Sequence, residues 1–276
     1  MRVGLATSEK WPQLSPDDLG LAPALAGVGI EAAPAVWSDR SVDWKQFDLV
    51  VIRSCWDYHL RIRDFLGWLE GLGVPVANSA EVVRWNAHKG YLLEMEAKGI
   101  RIPATQLVRK SSKLPQLASG HVIIKPAISA SANETHRFAD AADAMADLDR
   151  LAAAGDVIVQ EFVDEVISDG EWSLMFFDRE LSHAVKKAPK AGDFRVQQEL
   201  GGSALAADPP PRVLESARRA LSAVDDDLLY ARVDLVDRPA GVVLMELELI
   251  EPSLFFRTSE GSSERFARAV RKRIES

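Results

Sequence analysis

A single cysteine, Cys55, stands among 276 residues, so no intrachain disulfide can form, and that economy fits a reducing cytoplasm. No apolar run reaches the ~18 residues that a membrane-spanning helix needs. Met1-Arg2 leads straight into the strand-like Val3–Ala6 with no signal-peptide core. Excess positive charge is missing too. The formal net charge of −8 argues against a nucleic-acid backbone or an anionic membrane as the main partner, while a nucleotide needs only local cations. There is no internal repeat and no low-complexity tract. His59, His88, His121, His136 and His183 are scattered, and Cys55 has no evident base, so no Ser-His-Asp or Cys-His set emerges. Of these histidines, His183 is expected nearest the functional site.

What is present is ordinary globular composition, 47% hydrophobic and 27% charged, which suits one large domain or two to three small ones. Residues 1 to about 84 alternate strands (Arg2–Ala6, Ile30–Val36, Leu49–Ile52, Val74–Ala77) with helix patterns at Asp17–Gly27 and His59–Gly71. That rhythm predicts a small open α/β sheet with parallel strands, whose ligands gather beyond the carboxyl ends of the strands. Thr7–Trp11 and Arg53–Tyr58 occupy that position. The second segment carries Arg53, Trp56, Asp57 and Tyr58 and reads as a substrate wall, with Arg53 placed to pair a carboxylate.

The middle of the chain, about 85–160, reads as a small α+β unit. Asn78 or Ser79 caps a helix ending near Asn86. A helix over Ala87–Lys98 carries Lys89 in its first turn. A strand Val122–Pro126, a polar loop from Ser129 to Thr135, a helix Phe138–Ala154 and a strand Val157–Val163 follow. Beyond about 161 the strands read as antiparallel, with Trp172–Phe177 and Leu181–Lys187 flanking a turn, a helix within Pro209–Val224, and a closing amphipathic helix Ser263–Ile274.

The most informative stretch joins Tyr230–Val236 to Val242–Ile250 through Asp237-Arg238-Pro239-Ala240-Gly241, a turn signal between two β-rich runs. Alternation along the resulting hairpin puts Arg232 and Asp234 on one face, and Glu246 and Glu248 on one face of the partner strand. An acid-x-acid strand alone is more often a solvated edge. Three carboxylates converging inside a sheet would instead repel unless a cation neutralised them. Hard oxygen ligands suit Mg2+, which one or two carboxylates and substrate phosphates usually hold.

The ordered set of motifs resembles the ATP-grasp superfamily over essentially the whole chain, in the branch of glutathione synthetase and the ribosomal-protein glutamate ligases. Within that branch it is similar to small bacterial ligases such as the cyclo-ligase of cycloserine synthesis. The resemblance implies a mixed α/β and α+β fold in three parts: a pre-ATP-grasp domain (1–84), a lid (85–160) and a C-terminal catalytic part (161–276). Lys89, in Asn86-x-x-Lys89, and Lys125, before Pro126, match the lysines that meet the α- and β-phosphates. Ser129 and Ser131, on the lid loop, are placed to donate to phosphate, although Ala127–Thr135 lacks the glycines that relatives often use there. Gln160, Glu161, Phe162 and Val163 match the linker that meets adenine, and Glu171 the acid that accepts ribose hydroxyls. The run Lys186–Gln197, followed by Gly201-Gly202, resembles the branch's basic strand and Gly-Asp-Phe-Arg element. Lys187 and Arg195 are then expected at the γ-phosphate and acyl phosphate. Arg232 and Asp234 match Arg-x-Asp. Glu246 and Glu248 match the Glu-x-Asn metal pair, with Glu standing where Asn is common.

The implied function is an ATP- and Mg2+-dependent carboxylate–amine ligase, with Mn2+ as the alternative ion. It would make an acyl phosphate of a small amino-acid-like acid and couple it to an amine or similar nucleophile, within one molecule or between two. A kinase-like phosphotransferase and a non-catalytic nucleotide-binding regulator are the competing readings. Partners are expected to be small carboxylate and amine substrates, with no nucleic acid or membrane, and a homodimer is the default assembly.

Overall fold

The computed structural model describes residues 1–114, 120–140, 142–196 and 200–275. Gln197, at the end of the basic run, lies outside the described residues.

The chain opens with β1 (Arg2–Thr7), α1 (Leu21–Gly27), β2 (Glu31–Val36), β3 (Leu49–Ile52), α2 (Ile62–Gly71) and β4 (Val76–Ala77). The four strands form a parallel sheet in the order β2-β1-β3-β4. All four residues of β3 are buried, as a strand covered on both faces requires. Two helices start later than the pattern predicts. Asp18 is drawn into an ion pair with Arg53, so α1 begins only at Leu21. Tyr58–Arg61 coil into a 3-10 turn ahead of α2.

The next elements are α3 (Ala80–Asn86), α4 (Tyr91–Ala97), β5 (Thr105–Val108), β6 (Val122–Pro126), β7 (His136–Phe138), α5 (Met145–Ala154) and β8 (Val157–Glu161). The Ser79 hydroxyl caps α3, accepting from the Val82 N–H at 3.2 Å. Lys89 precedes α4 instead of lying in its first turn, and its N–H donates to the Ala127 carbonyl at 2.7 Å, tying it to the strand that carries Lys125. A second, antiparallel sheet has the order β5-β8-β6-β7. The helix expected over Phe138–Ala154 is shorter, because Phe138 pairs with Val122 as the end of β7 and Asp140 closes a turn on the Ala142 N–H. Leu148, Leu151 and Ala152 of α5 then cover this sheet.

The remainder comprises α6 (Glu165–Ser168), β9 (Glu171–Phe177), β10 (Glu180–Ala188), β11 (Ser203–Ala206), α7 (Pro211–Ser222), β12 (Tyr230–Arg238), β13 (Gly241–Glu248) and α8 (Ser262–Glu275). Its antiparallel sheet runs β11-β10-β9-β12-β13. Val213, Ala217, Ala220 and Leu221 of α7 pack on one face against Leu174, Val233 and Leu244. On the other side Phe266 and Val270 of α8 sit with Val3 and Leu5 of the parallel sheet and Phe177 and Tyr230 of the antiparallel one. Polar bolts join the same two sheets. The Tyr230 hydroxyl contacts the carbonyls of Ile52, Ala77 and Ile250 at 3.0, 3.1 and 2.7 Å. Asn78 donates to the Tyr230 and Leu249 carbonyls, each at 2.9 Å.

One irregularity matters for the site. Asp234 lies opposite Glu246, but Leu235 lies opposite Leu244, so Met245 is an extra residue in β13. Met245 and Glu246 consequently both face the cleft, while Leu244 and Leu247 both enter the core beneath α7. No helix among the described residues is long and apolar enough to cross a membrane.

Candidate active site

The three sheets meet around one deep cleft. Two neighbours on β12, Arg232 and Asp234, face Glu248 and Glu246 on β13 in direct register. Oxygens of Asp234, Glu246 and Glu248 all lie within 4.8 Å of one another. Four cations interleave with them. Glu246 Oε1 is 3.2 Å from both the Lys89 and the Lys125 ammonium. The Arg232 guanidinium bridges Asp234, at 3.0 Å, and Glu248. Lys187 reaches Asp234 at 3.2 Å and also pairs with Glu171. The Ser173 hydroxyl donates to Asp234 at 2.5 Å.

This arrangement sorts the acids. Burial would raise the Glu246 carboxyl, but Lys89 and Lys125 outweigh it and hold the group well below the usual carboxylate range. Burial likewise opposes ionisation of Asp234, and Arg232 and Lys187 reverse it. Glu248 has one cation, Arg232, against two neighbouring acids, and burial with those charges lifts it to about 7. Asp234, Glu246 and Glu248 offer three hard oxygen ligands close enough to share one divalent cation, with Glu248 the least neutralised of them.

The opposite wall comes from the lid sheet. Phe162 and Val163 follow β8 as extended chain, and the Arg137 guanidinium sits 3.8 Å from the Phe162 ring centroid. The Glu161 and Phe162 N–H groups are taken by the Ala104 and His121 carbonyls, whereas the Val163 N–H has no partner among the described residues. Gln160, Glu161, Ser129 and Ser131 also line the cleft. The glycine-free lid loop takes a glycine-like path, with Ser131, Ala132 and Glu134 at φ of 51°, 54° and 52°. Each such residue costs about 1 kcal/mol.

Lys187, not Lys186, points inward, since Lys186 pairs with Asp169 and lies over the Trp172 ring. Arg195 lines the cleft with its guanidinium folded onto Asp193 at 2.9 Å. Glu171 is buried beside these groups and bound to Lys187.

Of the substrate-wall residues, Trp56 and Tyr58 line the cleft and Arg53 and Asp57 do not. Arg53 is buried behind the wall. It pairs with Asp18, donates to the Pro252 carbonyl at 2.7 Å and lies over the Tyr230 and Phe256 rings. A buried guanidinium needs a carboxylate from the protein itself, and Asp18 is distant enough in sequence to escape notice. Asp57 turns away to accept from Trp37 Nε1 at 2.9 Å and to pair with Arg61. The Thr7–Trp11 loop supports the wall from behind through the edge-on Trp11–Trp56 contact. His183 is buried outside the cleft lining, with Nε2 2.9 Å from the Leu254 carbonyl.

Among the lining residues, Asn86 entered the sequence reading only through the Asn-x-x-Lys pattern, and Tyr91 and Glu251 gave no signal. The Asn86 side chain bridges the Leu247 carbonyl and the Leu249 N–H, and the Tyr91 hydroxyl accepts from the Leu247 N–H at 2.8 Å. Together they fix the strand that carries both glutamates. Glu251, just past β13, lines the cleft nearly buried, and its backbone carbonyl accepts from Trp56 Nε1 at 2.9 Å.

Comparison with known proteins places this geometry. Residues 3–78 match the family described as D-cycloserine synthetase DcsG, N-terminal domain. The cycloserine biosynthesis protein DcsG of Streptomyces lavendulae is 32% identical over 285 residues, covering 94% of this chain and 95% of the relative. The crystal structure of D-cycloserine synthetase DcsG superposes with a TM-score of 0.90 at 30% identity, over 99% of this chain and 100% of that one. D-alanine–D-alanine ligase from Bacillus anthracis, complexed with ATP, shares the fold at 15% identity with a TM-score of 0.73, over 100% of this chain and 97% of that one. The chain therefore belongs to the DcsG family within the ATP-grasp ligases, and it is an ATP-dependent ligase.

Proposed function

We propose that the enzyme activates the carboxylate of a small amino-acid-like substrate as an acyl phosphate and then joins it to an amine or similar nucleophile. The observation that carries this reading is the buried ribbon of Asp234, Glu246 and Glu248 interleaved with Lys89, Lys125, Lys187 and Arg232. The most similar curated protein described above is named for cycloserine biosynthesis, which favours ring closure within one molecule.

ATP is taken as substrate between the lid sheet and the acidic hairpin. Lys89 and Lys125, already paired with an acid, exchange that partner for phosphate oxygens. The free Val163 N–H donates to the adenine edge, the Phe162 and Met245 side chains supply apolar contact, and Glu171 accepts from the ribose hydroxyls. Ser129, Ser131 and neighbouring amides of the lid loop close over the phosphates. Asp234, Glu246 and Glu248 would hold Mg2+, or Mn2+, which when bound supplies charge neutralisation of the triphosphate. Arg232, Lys187 and Arg195 offset charge on the transferring phosphoryl group and on the tetrahedral centre that follows. In this account 1–84 carries the substrate wall, 85–160 the lid and 161–276 the catalytic ribbon, and lid closure keeps water from the acyl phosphate. The partners are small molecules in the cytoplasm.

The test measures ADP and phosphate release across a panel of amino and hydroxy acids, with and without amines, followed by mass spectrometry of the product. Turnover should require Mg2+ and fall by about a hundredfold or more in Asp234→Asn. Tight ATP binding without turnover of any acid, or a product that keeps the phosphoryl group, would sink the ligase chemistry.

A further inference from the structure

Among the carboxylates that line the cleft, Glu251 is set apart. Glu171, Asp234, Glu246 and Glu248 each hold a lysine or arginine, and Glu161 pairs with Arg238. Glu251 is only 9% exposed, yet it forms no ion pair and accepts no side-chain hydrogen bond among the described residues, and its one donor is its own N–H. A buried acid left in this condition is costly unless something outside the protein completes it.

Its surroundings limit what that can be. Trp56 fastens the Glu251 backbone to the substrate wall. Tyr58 lies in the same wall, and its hydroxyl likewise has no partner among the described residues. Burial and then the Glu251 charge push that hydroxyl well up, and both groups line the same cleft. Glu251 itself is lifted to about 8 by burial and by Glu248. Once ionised, Glu251 repels phosphate oxygens and attracts a cation. The three-carboxylate group that can share one ion does not include Glu251. A singly charged donor beside an aromatic wall is the group that fits.

We propose that Glu251, with the Tyr58 hydroxyl and the Trp56 ring, forms the subsite that receives the ammonium group of the amino-acid substrate. This inference rests on the ligase reading and adds to it the residue that selects an amino acid over the corresponding acid without nitrogen. The ammonium enters as an ion-pair partner and takes no part in bond making.

The experiment compares α-amino acids with their deaminated and N-acetylated counterparts in ADP release by the intact enzyme, and then repeats the series with Glu251→Gln and Glu251→Asp. The intact enzyme should prefer the free amine by at least about tenfold in kcat/KM. Glu251→Gln should shrink that preference by a similar factor, mainly through KM, and Glu251→Asp should restore part of it. Titration of each variant with a non-hydrolysable ATP analogue and Mg2+ shows whether the nucleotide half of the cleft has folded. Equal use of deaminated and amino acids by the intact enzyme overturns the ammonium subsite while leaving the ligase reading standing. So does an unchanged preference in Glu251→Gln. Absence of turnover with every acid sinks the ligase reading, and the subsite with it.

Discussion

Arg53 and Asp18 lie 2.9 Å apart with side chains 1% and 2% exposed, and each depends on the other for charge balance. Asp18→Ala would strand the guanidinium, with an expected loss of about 3–5 kcal/mol in urea denaturation and no change in nucleotide affinity of the folded fraction. Glu251 makes the opposite case, because no cation forms an ion pair with it among the described residues. Its carboxyl titrates near 8 in the fold against an ordinary 4.5, so the folded state binds the extra proton and stability falls as pH rises from about 4.5 to about 8. Glu251→Gln should therefore stabilise the ligand-free protein, little at pH 5 and most at pH 8, by on the order of 3 kcal/mol at the upper end, read by urea denaturation across that range. His183 titrates the other way. Burial lowers it to about 4 from 6.5, so the unfolded chain binds the proton first and stability is lost as pH falls from about 6.5 toward about 4. His183→Gln should flatten that acid limb in pH-dependent melts. Such roles were legible in the sequence only where chemistry travels with a local pattern. Lys89, Lys125, Lys187 and the Arg232–Glu248 group all reach the cleft from motifs that can be read along the chain. Arg53 and Asp57 were assigned to substrate because Asp18 and Trp37, their true partners, carry no local mark. Glu251 was missed because a glutamate before a proline resembles any strand exit.

The hairpin of β12 and β13 was readable from its turn and its β-rich flanks, and the register Asp234 to Glu246 agrees with that reading. The extra Met245 was not, since alternation counts positions and has no term for a residue that breaks the count. β7 went unseen for a related reason. His136–Phe138 forms a strand only by pairing with β6, and local propensity favoured extending the helix through it. The Tyr230 hydroxyl, at the start of β12, has one proton to donate and lies within hydrogen-bond reach of three carbonyls from three chain segments. Tyr230→Phe should cost about 1–3 kcal/mol in chemical denaturation, more than a single surface hydrogen bond, because a buried acceptor is left unmet.

Taken whole, the molecule has two sheets fastened together by Tyr230, Asn78 and the α8 core, and a third sheet facing them across the cleft. The fastened pair supplies the substrate wall and the acidic ribbon, so the distance between Trp56 and Glu246 is set by packing and not by nucleotide. Binding should then stabilise the fold chiefly through mass action. ATP with Mg2+ at a hundredfold excess over Kd is expected to add about 2.7 kcal/mol, visible as a raised Tm that disappears when EDTA is added. The bulge at Met245 also has a bearing on how this chain can vary over time. Because the pleat has a period of two, losing that one residue would straighten β13 into regular alternation, with Leu244 and Leu247 still under α7 and Glu246 and Glu248 still facing the cleft. A single deletion at Met245 should therefore be absorbed, whereas a single insertion between Glu246 and Glu248 would put the two acids on opposite faces of the strand.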